Sequence, residues 1–259
     1  MNTLVTASRR HRLRECQPRW GAVGAVALTL MSPGPAQAQQ MPVIAVDVGH
    51  TLAAPGAISA RGRTEFAFNR ELAGRVVEAL ERLGLRAELI NADGRIESLQ
   101  ARPARAADAD FLISIHHDSV SGRYLTPWDW QGMPLDFSDL WAGHSLFVSR
   151  DNPDPGASLT CASAIGLRLQ RAGFVPTDKN RIRRDTADAQ LAIHYYDNLV
   201  VLYRARQPAV LFEAGVIKHR DEELLLRDPD RQQRMAGEIA TGIAACVTAG
   251  GIATAHRAG

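Results

Sequence analysis

The tightest constraint on the fold is a rhythm of short apolar runs separated by stretches with helical periodicity. Residues 43–48 (Val-Ile-Ala-Val-Asp-Val) lead into Gly49-His50, residues 110–116 end in His116, and residues 209–213 end in Glu213. Short apolar runs of this kind, bounded by turn signals, read as strands buried on both faces. Phe68, Leu72, Val76, Leu80 and Leu83 recur at helical spacing over 65–83, and Gly84 supplies a stop. Further strands are expected over 86–91, 145–149 and 198–202. Further helices are expected over 98–109, over 158–172 with Gly173 as its stop, and over 222–246. Residues 51–64 and 176–193 read as loops, and residues 121–142 as aromatic, turn-rich and irregular. Strands alternating with helices imply an α/β chain: a single domain with a mostly parallel twisted sheet and helices on both faces.

Residues 1–38 stand apart from this pattern. Basic residues run to Arg19, an apolar stretch follows from Trp20 to Met31, and Ala36-Gln37-Ala38 forms a small-x-small cleavage site. This predicts a secretory signal peptide over 1–38 and one functional domain over 39–259, with a frayed tail after 250. The apolar stretch is shorter than the ~20 residues of a membrane span. The mature chain is therefore expected in the periplasm or cell-wall space, with no span. Arg9-Arg10 offers a twin-arginine pair, but it lies far from the apolar stretch, which leaves the export route open. Without the five arginines and one glutamate of this segment, the rest of the chain carries a slight negative charge. No basic field argues for nucleic acid. Cys16 leaves with the signal. Cys161 and Cys246 remain, and a disulfide or two buried thiols both fit. Neither has CxxC or CxxH spacing, which argues against cysteine ligation of a metal.

In sheets of this class, ligand sites form beyond the carboxyl ends of strands. That rule gathers His50, His116 and Glu213 at one edge, with Glu65 opening the helix after the first strand. Two histidines and one glutamate, with a position left for water, form a catalytic zinc ligand set. Each residue taken singly has a plainer reading. The histidines could cap a strand, Glu65 could complement a helix dipole, and Glu213 could sit in a salt bridge. His116 and His117 are adjacent, so on a strand they face opposite ways and at most one can face a metal. Composition does not choose between them.

Asp47-Val48-Gly49-His50, then Pro55-Gly56-Ala57, then Gly62 with Glu65 and Asn69, form a first block of ordered motifs. Ser98-Leu99 with Arg102, then Ile113-Ser114-Ile115-His116, form a second. Pro208-Ala209-Val210-Leu211-Phe212-Glu213-Ala214-Gly215 with Glu222-Glu223 form the last. Together these resemble the zinc-dependent N-acetylmuramoyl-L-alanine amidases of the Amidase_3 type, over roughly residues 43–226. The resemblance implies one Zn2+ per chain held by His50, Glu65 and His116, with Glu213 as the catalytic acid/base. It selects His116 over His117, because the family's ligand follows the Ser-Ile pair. Where the family often has a small residue and then Asn, this chain has His117-Asp118. The implied reaction is hydrolysis of the amide joining muramic acid to L-alanine in peptidoglycan.

Two regions are less specific. Trp128, Trp130, Phe137 and Trp141 could stack on sugar rings, form a small satellite core, or belong to a movable cover. Arg181, Arg183 and Arg184 could hold carboxylates of the peptide stem or face solvent. Trp128, Trp130, Arg181 and Arg183 are the candidate substrate-binding residues. Competing functions are a zinc peptidase or carboxypeptidase acting on wall peptides, and a non-catalytic peptidoglycan-binding module. The expected partner is peptidoglycan. A protein activator is left open, and a monomer is expected.

Overall fold

A computed structural model describes residues 41–248. The expected signal peptide and the tail after 250 lie outside the described residues. Among the described residues are nine strands: β1 (Val43–Val48), β2 (Arg86–Ile90), β3 (Phe111–Asp118), β4 (Thr126–Trp130), β5 (Met133–Phe137), β6 (Ser145–Val148), β7 (Thr186–Asp188), β8 (Ile193–Tyr195) and β9 (Ala209–Val216). Six helices accompany them: α1 (Glu65–Arg82), α2 (Ala101–Arg105), α3 (Pro155–Arg171), α4 (Val200–Tyr203), α5 (Arg220–Arg227) and α6 (Pro229–Thr248). Seven strands form one sheet in the order β2-β1-β3-β9-β6-β8-β7. Its β2-β1-β3-β9 half is parallel throughout, as is the β6-β8 pair. β6 runs antiparallel to β9, and β7 antiparallel to β8.

The two faces are covered unequally. Ile44, Val46 and Val48 of β1 point into a large core with α1, α3 and α6. Val43 and Ala45 point the other way, into a smaller core with Leu112, Leu211, Ala106 just after α2, and Val201 and Leu202 of α4. Helices do cover both faces, as the sequence predicts, but the second cover is only two short helices. That shortage leaves room beyond the carboxyl ends of β3 and β9 on this face.

The expected helix over 65–83 is α1. Thr64 caps its start, accepting from the Ala67 N–H, and Gly84 follows its end with a φ of 78°. Gly173, with a φ of 85°, marks the end of α3 in the same way. Five expectations need correction, the first being that residues 176–193, read as loop, carry the short edge strand β7. The run over 198–202 forms the helical turn α4 rather than a strand. A short apolar run cannot be distinguished from a buried helical turn by periodicity, and here Val201 and Leu202 close the second face. The helix expected over 98–109 is reduced to α2, with Pro103 in its first turn, where no intrahelical N–H is required. The final helix is two helices. Asp228 precedes Pro229, which disfavours helical backbone, and it adopts φ −68°, ψ 120°. The irregular segment over 121–142 contains the hairpin β4–β5, turned by Gln131-Gly132 with both φ values positive. Its prolines, Pro127 and Pro134, are tolerated because both strands of a two-stranded ribbon are edges.

Helices α3 and α6 cross at close range. A Cβ on Gly242 would lie 2.6 Å from the Ile165 Cα, so only glycine fits there. Near this crossing Cys161 and Cys246 are joined by a disulfide spanning 85 residues of sequence. A link closing a loop of that length restricts the unfolded chain strongly. We predict that Cys161→Ala/Cys246→Ala lowers unfolding stability by about 2–5 kcal/mol. Denaturant titration of the oxidised parent and the variant checks this. Coincident curves would contradict it.

Candidate functional site

The register of the central strands builds the site. In the β3–β9 pairing Ser114 lies beside Leu211 and His116 beside Glu213, so the last two share the thinly covered face. Period-two alternation turns His117 to the opposite side. There its ring meets Phe68, and its Nδ1 lies 2.8 Å from Asn69 Oδ1. Burial, with further contributions from nearby cationic groups, pushes His117 down to about 3, so it is a neutral packing residue.

His50 follows β1 with a φ of 68°, a left-handed conformation that turns its ring back over the strand ends. Asn91 holds that turn by donating to the carbonyls of Val48 and His50. Arg102 adds a second donor to Val48 O. Glu65 is the first residue of α1. Its Oε1 lies 2.9 Å from His50 Nε2 and 3.0 Å from His116 Nδ1, while its Oε2 accepts from the Ala57 N–H. Asn69, one turn on, donates to Gly49 O and to Glu65 Oε1. Two glycines make room for the rings. A Cβ on Gly49 would fall 2.4 Å from the His116 ring, and one on Gly56 would fall 2.5 Å from Glu65 Oε2.

One donor atom from each of His50, Glu65 and His116 thus lies within 4.8 Å of the others. Around a tetrahedral zinc ion with ligand bonds of ~2.0–2.1 Å, donor atoms sit about 3.3 Å apart. The separations of 2.9 and 3.0 Å approach that spacing. The chemistry of two imidazoles and one carboxylate fits zinc as well. Burial opposes ionisation of Glu65, yet hydrogen bonds and charge from His116 and His50 hold its carboxyl well below the usual range. It is therefore an anion, as a ligand must be. His116 Nε2 is buried and has no hydrogen-bond partner.

Glu213 faces the same space. Its Oε2 is sealed from solvent and has no partner. Burial, reinforced by the negative charges of Asp118 and Glu65, raises its carboxyl well above the ordinary range, with Lys179 opposing. A carboxyl that binds a proton this readily is suited to accept one and pass it on. Beneath the site, Asp47 is fully buried, accepts from Ser114 Oγ at 2.6 Å and lies 3.8 Å from Arg102 Nε.

The site opens into a cleft of about 450 Å3, lined among others by His50, His116, Glu213, Trp141 and Arg183. Trp128, Trp130 and Arg181 do not line it. Trp128 stacks on Trp130, meets Phe137 edge-on and donates its indole N–H to Ala60 O, with Arg61 and Arg220 against the rings. These contacts form a satellite core on the hairpin. Sequence reasoning missed Asp118, Lys179 and Asn180. Lys179 Nζ lies 2.5 Å from Asp118 Oδ1, and Asn180 donates to Asp118 Oδ2 and Ser145 Oγ. The departure at His117-Asp118 was the one available signal. Glu222 and Glu223 are structural. Glu222 accepts from the N–H groups of Gly143 and Val216, and Glu223 accepts from Ser59 and Arg61.

A family model described as N-acetylmuramoyl-L-alanine amidase (Amidase_3) matches residues 44–245. Among solved structures, the catalytic domain of CwlV, an N-acetylmuramoyl-L-alanine amidase from Bacillus (Paenibacillus) polymyxa var. colistinus, is similar at 27% identity and a TM-score of 0.62. That match covers 80% of this chain and 99% of the other. The amidase Ami1 from Mycobacterium smegmatis is similar in fold, at 21% identity and a TM-score of 0.65, covering 80% and 97%. The CwlD amidase of Clostridioides difficile, solved with the GerS lipoprotein, has a TM-score of 0.58 at 20% identity, covering 80% and 99%. No curated protein matches the chain. Among the described residues no helix is long and apolar enough to cross a membrane.

Packing around His116 generates a prediction. Gly49→Ala must displace the ring, because the added methyl occupies its space. Metal analysis of the purified variant should give at least a tenfold loss of zinc affinity, the scale of losing support for a ligand. Parental affinity would refute the packing argument.

Proposed function

The chain belongs to the Amidase_3 family of N-acetylmuramoyl-L-alanine amidases, and from that premise we propose that it hydrolyses the muramoyl–L-alanine amide of peptidoglycan through one zinc ion held by His50, Glu65 and His116, with Glu213 as the proton carrier. One observation carries this reading. The three donor atoms converge at the rim of a cleft in which Glu213 holds a buried, unpartnered oxygen.

When bound, the ion supplies Lewis acidity toward the lactyl carbonyl and a water that is nucleophilic at neutral pH. The protein's residues do the rest. Glu213 takes a proton from the attacking water as its oxygen adds to the carbonyl carbon. It then delivers that proton to the nitrogen of L-alanine as the C–N bond breaks. The products are a muramic acid carboxyl group and a stem with a free N-terminal amine. Leu211 and Phe147 line the same cleft, and burial of Glu213 beside it sustains its high proton affinity. Glu65, itself held by Asn69, fixes the two imidazoles before substrate arrives, so little reorganisation is needed at the reacting centre. Export to the periplasm or cell-wall space, where this substrate lies, is consistent with the predicted signal over 1–38.

Two sets of variants test the roles. Glu213→Gln should lower kcat by a factor of about 10²–10⁴, the range for loss of a positioned acid/base, with zinc content unchanged. Product masses from purified sacculi provide the measurement, and parental turnover would remove Glu213 from the mechanism. His50→Ala, Glu65→Ala and His116→Ala should each bind zinc more weakly, whereas His117→Ala should keep the parental affinity. Zinc loss in His117→Ala alone would reverse the assignment.

A further inference from the structure

The reacting centre sits between two lobes of different character. Both contain His50, His116, Leu199 and Leu211, so they meet at the candidate metal site. One is the 450 Å3 cleft, whose wall carries Arg123, Lys179, Arg183 and Arg184. The other, about 420 Å3, is lined mainly by apolar side chains, Ile96, Leu99, Val200 and Val201 among them, with Glu97 as its acidic residue. Its single cationic side chain, Arg102, is turned to Asp47 and Val48 O. Glu213 lines the basic lobe and not the apolar one.

The basic wall is held in place. Its short 3-10 turn, Lys179–Ile182, is tied to the sheet floor through the Lys179–Asp118 ion pair and the Asn180 bonds to Asp118 and Ser145. Lys179 is thereby neutralised. Arg183 donates to Ser121 Oγ, and Arg184 stacks on Tyr196 with its guanidinium carbon 3.3 Å from the ring centroid. Among the described residues, neither arginine forms an ion pair with a carboxylate. Arg183 and Arg184 are adjacent guanidinium groups, held but unpaired in a cleft that Arg123 also lines from its place over Tyr124, and such groups are suited to a carboxylate ligand.

We propose that the two lobes orient the substrate, with the peptide stem on the basic lobe and the glycan on the apolar lobe, and that Arg183 and Arg184 bind the free carboxylate of the residue following L-alanine. This rests on the amidase reading above and extends it to substrate polarity. The position of Glu213 supports it independently of charge. The group that protonates the departing amine belongs on the side where the amine leaves, which is the stem side. The glycan carries apolar acetyl and lactyl methyl groups and no ionised group beyond the scissile linkage, so it suits the lobe without a free cation.

The test compares soluble disaccharide-peptide fragments in which L-alanine is followed either by γ-linked D-glutamate, with a free α-carboxylate, or by D-isoglutamine, with a carboxamide. The parental enzyme should prefer the carboxylate by about tenfold or more in kcat/KM, expressed mainly in KM, the scale of one charge-assisted hydrogen bond. Arg183→Ala/Arg184→Ala should bring that ratio close to one. Arg183→Lys/Arg184→Lys should retain part of it, because charge persists while bidentate geometry is lost. Equal rates on both fragments in the parental enzyme would overturn the subsite. An unchanged ratio in the double alanine variant would do the same. Cleavage of neither fragment would instead refute the amidase reading.

Discussion

The parallel register between β3 and β9 is the constraint on which the rest depends. It sets His116 beside Glu213 on one face of the sheet. A shift of one residue in either strand would turn its side chain to the other face. The two strands cannot slip easily, because each alternates into two different cores. Ile113 and Ile115 are fixed among α1, α3 and α6, while Leu112 and Leu211 are fixed beneath α4. The apolar packing that stabilises the sheet is thus also what aims the reactive groups.

Around that register the protein arranges polar groups at positions where burial alone would be unfavourable. The Val48 carbonyl, at the end of β1, receives both Asn91 and Arg102, which fixes the backbone from which His50 turns. Asp47 and Ser114 bond across neighbouring strands just below the site. Asn69 bridges Gly49, Glu65 and His117, so the start of α1 is tied to the ends of two strands. Buried polar groups of this kind must be satisfied to be tolerated. The buried atoms of the site without a hydrogen-bond partner, His116 Nε2, Glu213 Oε2 and Asp47 Oδ1, lie at or under the proposed reacting centre. Thin cover by α2 and α4 leaves this face open as two lobes of opposite character, one basic and one apolar.

Much of this was legible in the sequence. The three long central strands were visible because continuous β-branched runs, each closed by a polar residue, leave few alternatives. The strand-end rule drew His50, His116 and Glu213 together. Alternation stated that His116 and His117 diverge but could not say which faces the site. That depends on a register between strands nearly a hundred residues apart, which local pattern does not encode. The hairpin β4–β5 was obscured by two prolines, and α4 by a valine-rich run that is apolar in either conformation. The Trp128–Trp130 stack could not be assigned from composition, because aromatic crowding is common to sugar platforms and to small cores. The roles of Lys179 and Asn180 arise from contact with Asp118 across a long stretch of chain, and nothing in their own neighbourhood announces it.

The account turns on whether one metal ion is held by two imidazoles and a carboxylate. X-ray absorption at the zinc edge of the protein loaded with one equivalent of zinc tests this directly. The prediction is a first shell of nitrogen and oxygen at about 2.0–2.1 Å, with the outer scattering of two imidazole rings, reduced to one ring in His50→Ala or His116→Ala. A shell containing sulfur, or two-ring scattering that survives loss of either histidine, would contradict the central claim.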